Sequence, residues 1–554
     1  MFERLFRNGK DLVSKENSSI LSAAFVIMGA TLLSAILGFV RTRLLIQYFF
    51  TNKATLDAFW AAFRIPDTIF QLLIVGALSS AFIPIFSKYL EKGKEEEASL
   101  IASSMINVVV GIMIVLSIGI MIWAEPLSHL IAGGFPESQI SLMVRLTRIM
   151  AVADILFGFS SFLTGIIQSH KRFIVPALSP SLYNVGIILG TIFLSRPMGI
   201  MGPAVGVILG ALLHLLAQIP LARMLGFRYS FVISRHPAIS EMGRLMLPRV
   251  LTLSLAQIEQ TVVIAFSSWL SLGTVTIMSI AQQLANLPIR MIGITIGQAS
   301  LPFFAKEMAR GNLKGLAEMV NNAILQMLYL TLPASVIVLV LRIPLVRLAY
   351  GAGSFPWSET VTTGRVVAML ALAIAAGSLT NIVIRVFYAL HDTKTPFVIN
   401  MVATVINVGL SYYLLFIVKT GVIGMAFAMT LADTVESVIL TVVLYSMAKF
   451  DLGKLGVPFL RMLTAAAVTA VFLWVPMRLL DQFIFDTTHT LPLIFLTLIV
   501  TAIGIAVYIV LSYLLHIREL EVFVSLVKKL GDWRKSLFAS PEALEQVDST
   551  DLSA

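Results

Sequence analysis

The chain has 554 residues, of which 58% are hydrophobic and 13% charged, with a formal net charge of +10 and no cysteine. In a soluble domain charged residues approach a quarter of the chain, so this composition excludes an ordinary soluble fold. The lack of cysteine excludes disulfides, thiolate catalysis, iron-sulfur clusters and cysteine-zinc sites.

Residues 1–19 read as a cytoplasmic amphipathic segment; they contain acidic residues and no small-residue cleavage pattern, so the first span is expected to be retained. Apolar runs between polar breaks then predict spans at 20–50, 57–90, 97–124, 140–169, 174–195, 199–224 and 240–270, followed by 274–308, 315–342, 359–390, 395–418, 421–448, 456–479 and 490–515. Most approach or exceed the ~20 residues that cross the hydrocarbon as a helix. With the N-terminus inside, the inner segments collect Arg4, Arg7, Lys10, Lys15, Lys88, Lys92, Lys94, Lys171, Arg172, Arg223, Arg228, Arg235, Lys306, Arg310, Lys394, Lys449 and Lys454. The outer ones hold chiefly Lys53, Arg196, Arg342, Arg347, Lys419 and Arg478. This positive-inside asymmetry fits an even number of spans with both termini cytoplasmic. Residues 517–554 are expected to form a cytoplasmic basic segment carrying Lys528, Lys529, Arg534 and Lys535, then a disordered acidic tail.

Two internal echoes organise these spans. AFIPIFSKYLEKG around Lys88 recurs as ASLPFFAKEMARG around Lys306, about 218 residues later, and KRFIVPALSPSLYNVG at Lys171 recurs as KTPFVINMVATVINVG at Lys394, about 223 residues later. Both are six spans apart, so the halves share orientation. The fold expected is an all-α polytopic membrane protein of about fourteen transmembrane helices: two six-helix lobes related by a pseudo-two-fold axis, 20–224 and 225–450, with two C-terminal helices in 451–516. Alternating-access transporters have this layout.

An ionisable residue at bilayer depth is costly unless it faces protein, water or a partner. Arg41 lies in span one, and Asp57 and Arg64, seven apart on one helical face, lie in span two. Span four has Asp154, span seven Glu259 and span eight Arg290. Arginine outnumbers carboxylate in the first lobe, and guanidinium forks bind phosphate bidentately, so a cavity there suits an anionic, phosphate-bearing substrate. Glu259 is a candidate for ion coupling, with a plain helix-to-helix hydrogen bond the other reading. No metal, nucleotide or hydrolase motif occurs, so no cofactor, no metal, no enzymatic step and no nucleic-acid partner are expected.

Six segments carry a resemblance: LGFVRTRLL at 37–45, LDAFWAAFRIPD at 56–67, GALSSAFIPIFSKYL at 76–90, GIIQSHKRFIVPALSPSLYNVGII at 165–188, ASLPFFAKEMARGN at 299–312 and FYALHDTKTPF at 387–397. The chain resembles the lipid II flippase family, the MurJ/MviN-like branch of the multidrug/oligosaccharidyl-lipid/polysaccharide exporter superfamily. The resemblance implies flipping of an undecaprenyl-diphosphate-linked peptidoglycan precursor across the bacterial cytoplasmic membrane. It also implies a cationic cavity, membrane lipids and cell-wall synthesis proteins as partners, a monomer, and Na+ or H+ as coupling ion. Arg41 matches a family cavity arginine, Asp57 a family acid and Arg64 a basic position before the span-two proline. The chain departs from the family pattern at Ala35, Phe70, Val75, Val263, Gln283 and Asn286, where related members carry charged groups; Arg290 and Glu259 are the candidates to replace them. A flippase for another polyprenyl-linked glycan, an exporter of small amphiphiles and a non-transporting envelope scaffold are the alternatives.

Overall fold

The computed structural model describes residues 20–75, 78–351, 355–448 and 453–524; the N-terminal segment and the cluster Lys528, Lys529, Arg534 and Lys535 lie outside them. Every regular element among the described residues is helical. They run α1 (Ile20–Phe49), α2 (Lys53–Ala62), α3 (Arg64–Phe70), α4 (Ile83–Glu91), α5 (Glu95–Ile122), α6 (Ala124–Ala132) and α7 (Glu137–Ser169). Next come α8 (Ile174–Leu189), α9 (Ser195–Met198), α10 (Met201–Met224), α11 (Pro237–Ser268), α12 (Thr274–Pro288), α13 (Thr295–Ala309) and α14 (Leu313–Val340). The series closes with α15 (Arg342–Tyr350), α16 (Trp357–Ala371), α17 (Ile374–Ala389), α18 (Lys394–Tyr412), α19 (Gly421–Ala448), α20 (Gly453–Phe483) and α21 (Thr490–Leu514).

Ten helical stretches are long and apolar enough to cross a membrane, and the bent pair α16–α17, with a 41° break, makes an eleventh. The other three expected spans are helical but interrupted or polar. The second is divided between α2, α3, two π turns and α4; the seventh, α11, carries Glu241, Arg244, Arg249 and Glu259; the eighth is divided at a π turn, Ile289–Ile294. A π turn adds a residue to the helical repeat and marks places where side chains are re-aimed, often at functional sites.

The repeat read in the sequence is present in the local structure. The π turns Gln71–Val75 and Ile289–Ile294, the 28-residue helices α5 and α14, and the nine-residue helices α6 and α15 each begin 218 residues apart. The glycine that closes each copy of the first echo, Gly93 or Gly311, has φ of 69° or 68° and ends its helix where a side chain would be strained. At the entry to the second echo, Lys171 and, three residues ahead of Lys394, His391 hold left-handed turns at φ 56° and 59°, 220 residues apart. The displacement then grows to 223 residues at the π turns Gly190–Leu194 and Tyr413–Ile417, matching the offset of the two Asn-Val-Gly triplets.

The chain divides into two compact units. One comprises Met1–Leu284, Leu345–Val366 and Asn400–Ala432, the other Ala285–Pro344, Val367–Ile399 and Asp433–Ala554. The first has a core of Phe82, Phe86, Ile101, Met105, Phe162 and Ile166 among others. The second is built around Phe304, Met327, Val386, Phe387, Leu444 and Met462. In the first unit α8 and α10 approach through glycines: a Cβ on Gly186 would stand 2.2 Å from Gly210 Cα, and one on Gly190 2.6 Å from Gly206 Cα. Such small-residue seams replace the hydrophobic drive that lipid does not supply between membrane helices.

Candidate functional site

Arg64 opens α3, just after the chain breaks from α2 at Phe63, and it is 7% exposed. Its Nε donates to Thr261 Oγ1 at 3.0 Å, and its Nη2 donates to the Gln257 carbonyl at 3.1 Å and also to Gln257 Oε1. Nη1 lies 3.6 Å from Asp67 Oδ2. All three guanidinium nitrogens are thus engaged by the protein. Gln257 and Thr261 are one helical turn apart on α11, so Arg64 grips one stripe of that helix.

Asp57 is 1% exposed on α2. Its carboxylate accepts from Gly273 N at 2.6 Å, Thr276 N at 2.8 Å and Thr276 Oγ1 at 2.7 Å. It therefore caps the first turn of α12 from another helix, satisfying backbone donors that a helix N-terminus leaves open. Asp57→Ala strands two N–H groups and a hydroxyl in a buried place, and is expected to cost about 3 kcal/mol or more. Thermal unfolding of the purified variant in detergent checks this; Asp57→Asn, which keeps an acceptor, should fall between the variant and the parent.

Arg41 contrasts with both. It is half-buried on α1, close enough to the phenols of Tyr183 on α8 and Tyr350 on α15 to interact with them electrostatically. Its Nε is buried without a hydrogen-bond partner, and no carboxylate among the described residues pairs with its guanidinium. Residues near it in the chain are tied to other helices. Thr42 Oγ1 donates to Gln283 Oε1 at 3.2 Å, Arg43 Nη1 to the Leu348 carbonyl at 2.7 Å, and Lys53 pairs with Glu359. Phe39 and Tyr350 have ring centroids 6.1 Å apart.

Glu259 lies on a different stripe of α11 from Gln257 and Thr261, two residues from each. Its Oε1 accepts from Asn407 Nδ2 at 2.7 Å, and Asn407 Oδ1 accepts from Ser411 Oγ at 3.2 Å. The helix-to-helix hydrogen bond is present, on the Asn of the second Asn-Val-Gly triplet. Val263, one turn on from Glu259, is 6% exposed and apolar. Arg290, in the second unit, is exposed on the π turn before α13; its carbonyl accepts from Thr295, and its guanidinium has no partner among the described residues.

Arg41, Asp57, Arg64 and Glu259 therefore share the first unit, with Arg64 and Asp57 occupied by protein groups and Arg41 not. Neither Tyr183 and Tyr350 near Arg41 nor a cavity of about 270 Å³ whose lining includes Asp67, Asp154, Tyr183 and His214 was legible in the sequence. The RIPD and SLYNVG segments contain two of these residues, but only tertiary contact distinguishes them from their neighbours.

Residues 46–497 match the family model described as Lipid II flippase MurJ. The chain belongs to the lipid II flippase MurJ family. A probable lipid II flippase MurJ of Rhizobium meliloti (strain 1021) is 28% identical over 494 residues, covering 86% of this chain and 89% of the relative. One from Thermotoga maritima is 28% identical over 493 residues, covering 89% and 96%. Among solved structures, the lipid II flippase MurJ in an inward closed conformation aligns with a TM-score of 0.74 at 26% identity, over 88% of this chain and 98% of that one. An inward-facing multidrug resistance MATE transporter of the MOP superfamily aligns at 0.64 with 14% identity, over 77% and 98%, and shares the fold. The MurJ fold thus accommodates Gln283 and Asn286 in α12 and Phe70 in α3, where Phe70 packs on Phe157 with centroids 5.8 Å apart.

Proposed function

We infer that this MurJ family member flips lipid II, the undecaprenyl-diphosphate-linked peptidoglycan precursor, from the inner to the outer leaflet of the bacterial cytoplasmic membrane by alternating access. The observation that carries the site assignment is Arg41: a guanidinium inside a span, within electrostatic reach of two tyrosines and lacking a counter-carboxylate among the described residues. Such a group is costly until an anion arrives, and a diphosphate presents the oxygens that its fork matches. Arg290, exposed in the second unit and without a partner among the described residues, is proposed as a phosphate contact of that unit. Arg64 and Asp57 act through α11 and α12 as positioning residues.

The charge asymmetry supports cytoplasmic termini. Residues 20–224 and 225–450 are proposed as the two moving lobes, Glu259 with Asn407 as a coupling-ion site, and a monomer working beside cell-wall synthesis proteins as the active form. No bond of the precursor is broken in flipping, so the chain is a transporter and not an enzyme. Expression in bacteria depleted of their own lipid II flippase tests this. Growth is expected to be restored and precursor accumulation reversed. A correctly inserted chain that leaves the precursor accumulating would point to another polyprenyl-diphosphate glycan.

A further inference from the structure

Asp154 lies midway along α7 and is 8% exposed, and its Oδ2 is buried without a hydrogen-bond partner. It faces the cavity of about 270 Å³ noted above, which is otherwise lined largely by Phe63, Pro66, Phe70, Met150, Phe157 and Val207. Asp67 lines the same cavity, near enough to Asp154 for the two carboxyl groups to repel. The two acids are served unequally. Asp67 has Arg64 Nη1 at 3.6 Å and Gln71 Nε2 donating at 3.4 Å, and its side chain is 43% exposed.

We propose that this cavity is a proton-binding site, with Asp154 carrying the proton and Asp67 exchanging it at the open side. The helices packed against α7 bring few charges that could hold Asp154 ionised. The segment α2–α3 brings Asp57, committed to α12, and Arg64 with Asp67. Tyr183 comes from α8 and His214 from α10, whose Nδ1 is shared by Ser160 and Gln218. α5 has no ionisable side chain after Glu97, α4 carries Lys88 near its far end, and α6 offers only Glu125 and His129, the latter 3.7 Å from Glu137 in the first turn of α7. No cation among the described residues is hydrogen-bonded to Asp154. Asp67 is partly exposed and has Arg64 beside it, so of the two neighbouring acids the proton belongs on the buried, unserved one. A bare sodium ion needs several oxygen ligands, and this lining offers few beyond the two acids. Release moves the proton from Asp154 Oδ2 to the Asp67 carboxylate or to water entering the cavity, leaving Asp154 ionised.

This deepens the proposed function by naming an ion and a place for coupling, yet the binding is measurable without flipping. Difference infrared spectra of the purified chain in detergent, made with carbonyl-labelled aspartate, separate protonated aspartic acid from carboxylate. A label-sensitive protonated band is expected at neutral pH, lost in Asp154→Asn and unchanged when sodium replaces choline as the buffer cation. Asp67→Asn removes the repelling charge and frees Arg64, so the band should titrate at a lower pH than in the parent. Absence of the band at neutral pH, its persistence in folded Asp154→Asn, or its loss on adding sodium would each overturn the proposal. Should Asp154→Asn fail to fold, an unshifted titration in Asp67→Asn overturns it equally.

Discussion

Arg41→Ala is expected to insert and accumulate like the parent chain yet to lower precursor flipping by about 10- to 100-fold, the equivalent of a charge-assisted hydrogen bond worth about 1.5–3 kcal/mol. Among the described residues Arg41 Nε has no partner and no carboxylate pairs with the group, so truncation leaves no orphaned charge among them and relieves an uncompensated one. The effect should fall on flipping and spare stability. Arg41→Lys keeps the charge but loses the planar fork, and is expected to fall between the two. Growth rescue in flippase-depleted cells, with precursor quantified against membrane-inserted protein, measures both. Arg64→Ala makes the contrast: it releases Thr261, Gln257 and Asp67 together, so yield and thermal stability should drop along with flipping. If Arg41→Ala flips as fast as the parent, the diphosphate contact lies elsewhere.

The contrast between these two arginines also shows what could be read from the chain alone. Fourteen helical segments follow from runs of apolar residues, because the bilayer sets their length and nothing distant is needed to recognise them. The duplication was visible too, because the Pro, Lys and Gly spacing of 84, 88 and 93 recurs at 302, 306 and 311, and Gly93 and Gly311 hold φ of 69° and 68°, which glycine favours. Where the spans break was not visible: π turns at 71–75 and 289–294 carry no residue signature of their own. Site roles were legible only as residue types. Asp57, Arg64 and Arg41 are all ionisable groups near the start of the chain, but the partners that separate them, Gly273, Thr276, Gln257 and Thr261, lie about 200 residues away. Glu259 was left between ion coupling and a helix tie, and the tie to Asn407 is present. Asp154 was visible as a buried charge, while its neighbour Asp67 and the absence of a partner on Oδ2 are properties of the packed helices.

Gly210→Ala should reach the same function from a place that touches no substrate. Its Cβ would stand 2.6 Å from the Tyr183 carbonyl oxygen and 3.1 Å from Tyr183 Cα, backbone atoms that cannot rotate aside. α8 must then retreat from α10, against a seam that Gly186, Gly190, Gly202 and Gly206 also keep close. Overpacking of this kind costs about 1–3 kcal/mol, so the apparent melting temperature in detergent should fall by about 1–3 °C. Tyr183 stands beside Arg41 and lines the Asp154 cavity, so displacement of α8 disturbs both. Flipping per folded molecule should therefore fall as well, which separates a displaced site from simple loss of protein. Gly409→Ala is the matched control: a Cβ there meets nothing within 4 Å on a helix of ordinary backbone geometry, so the same change should leave stability unchanged or raise it slightly. Equal losses in the two variants would mean that α8 and α10 do not depend on their glycine seam, and that Tyr183 is placed by other contacts.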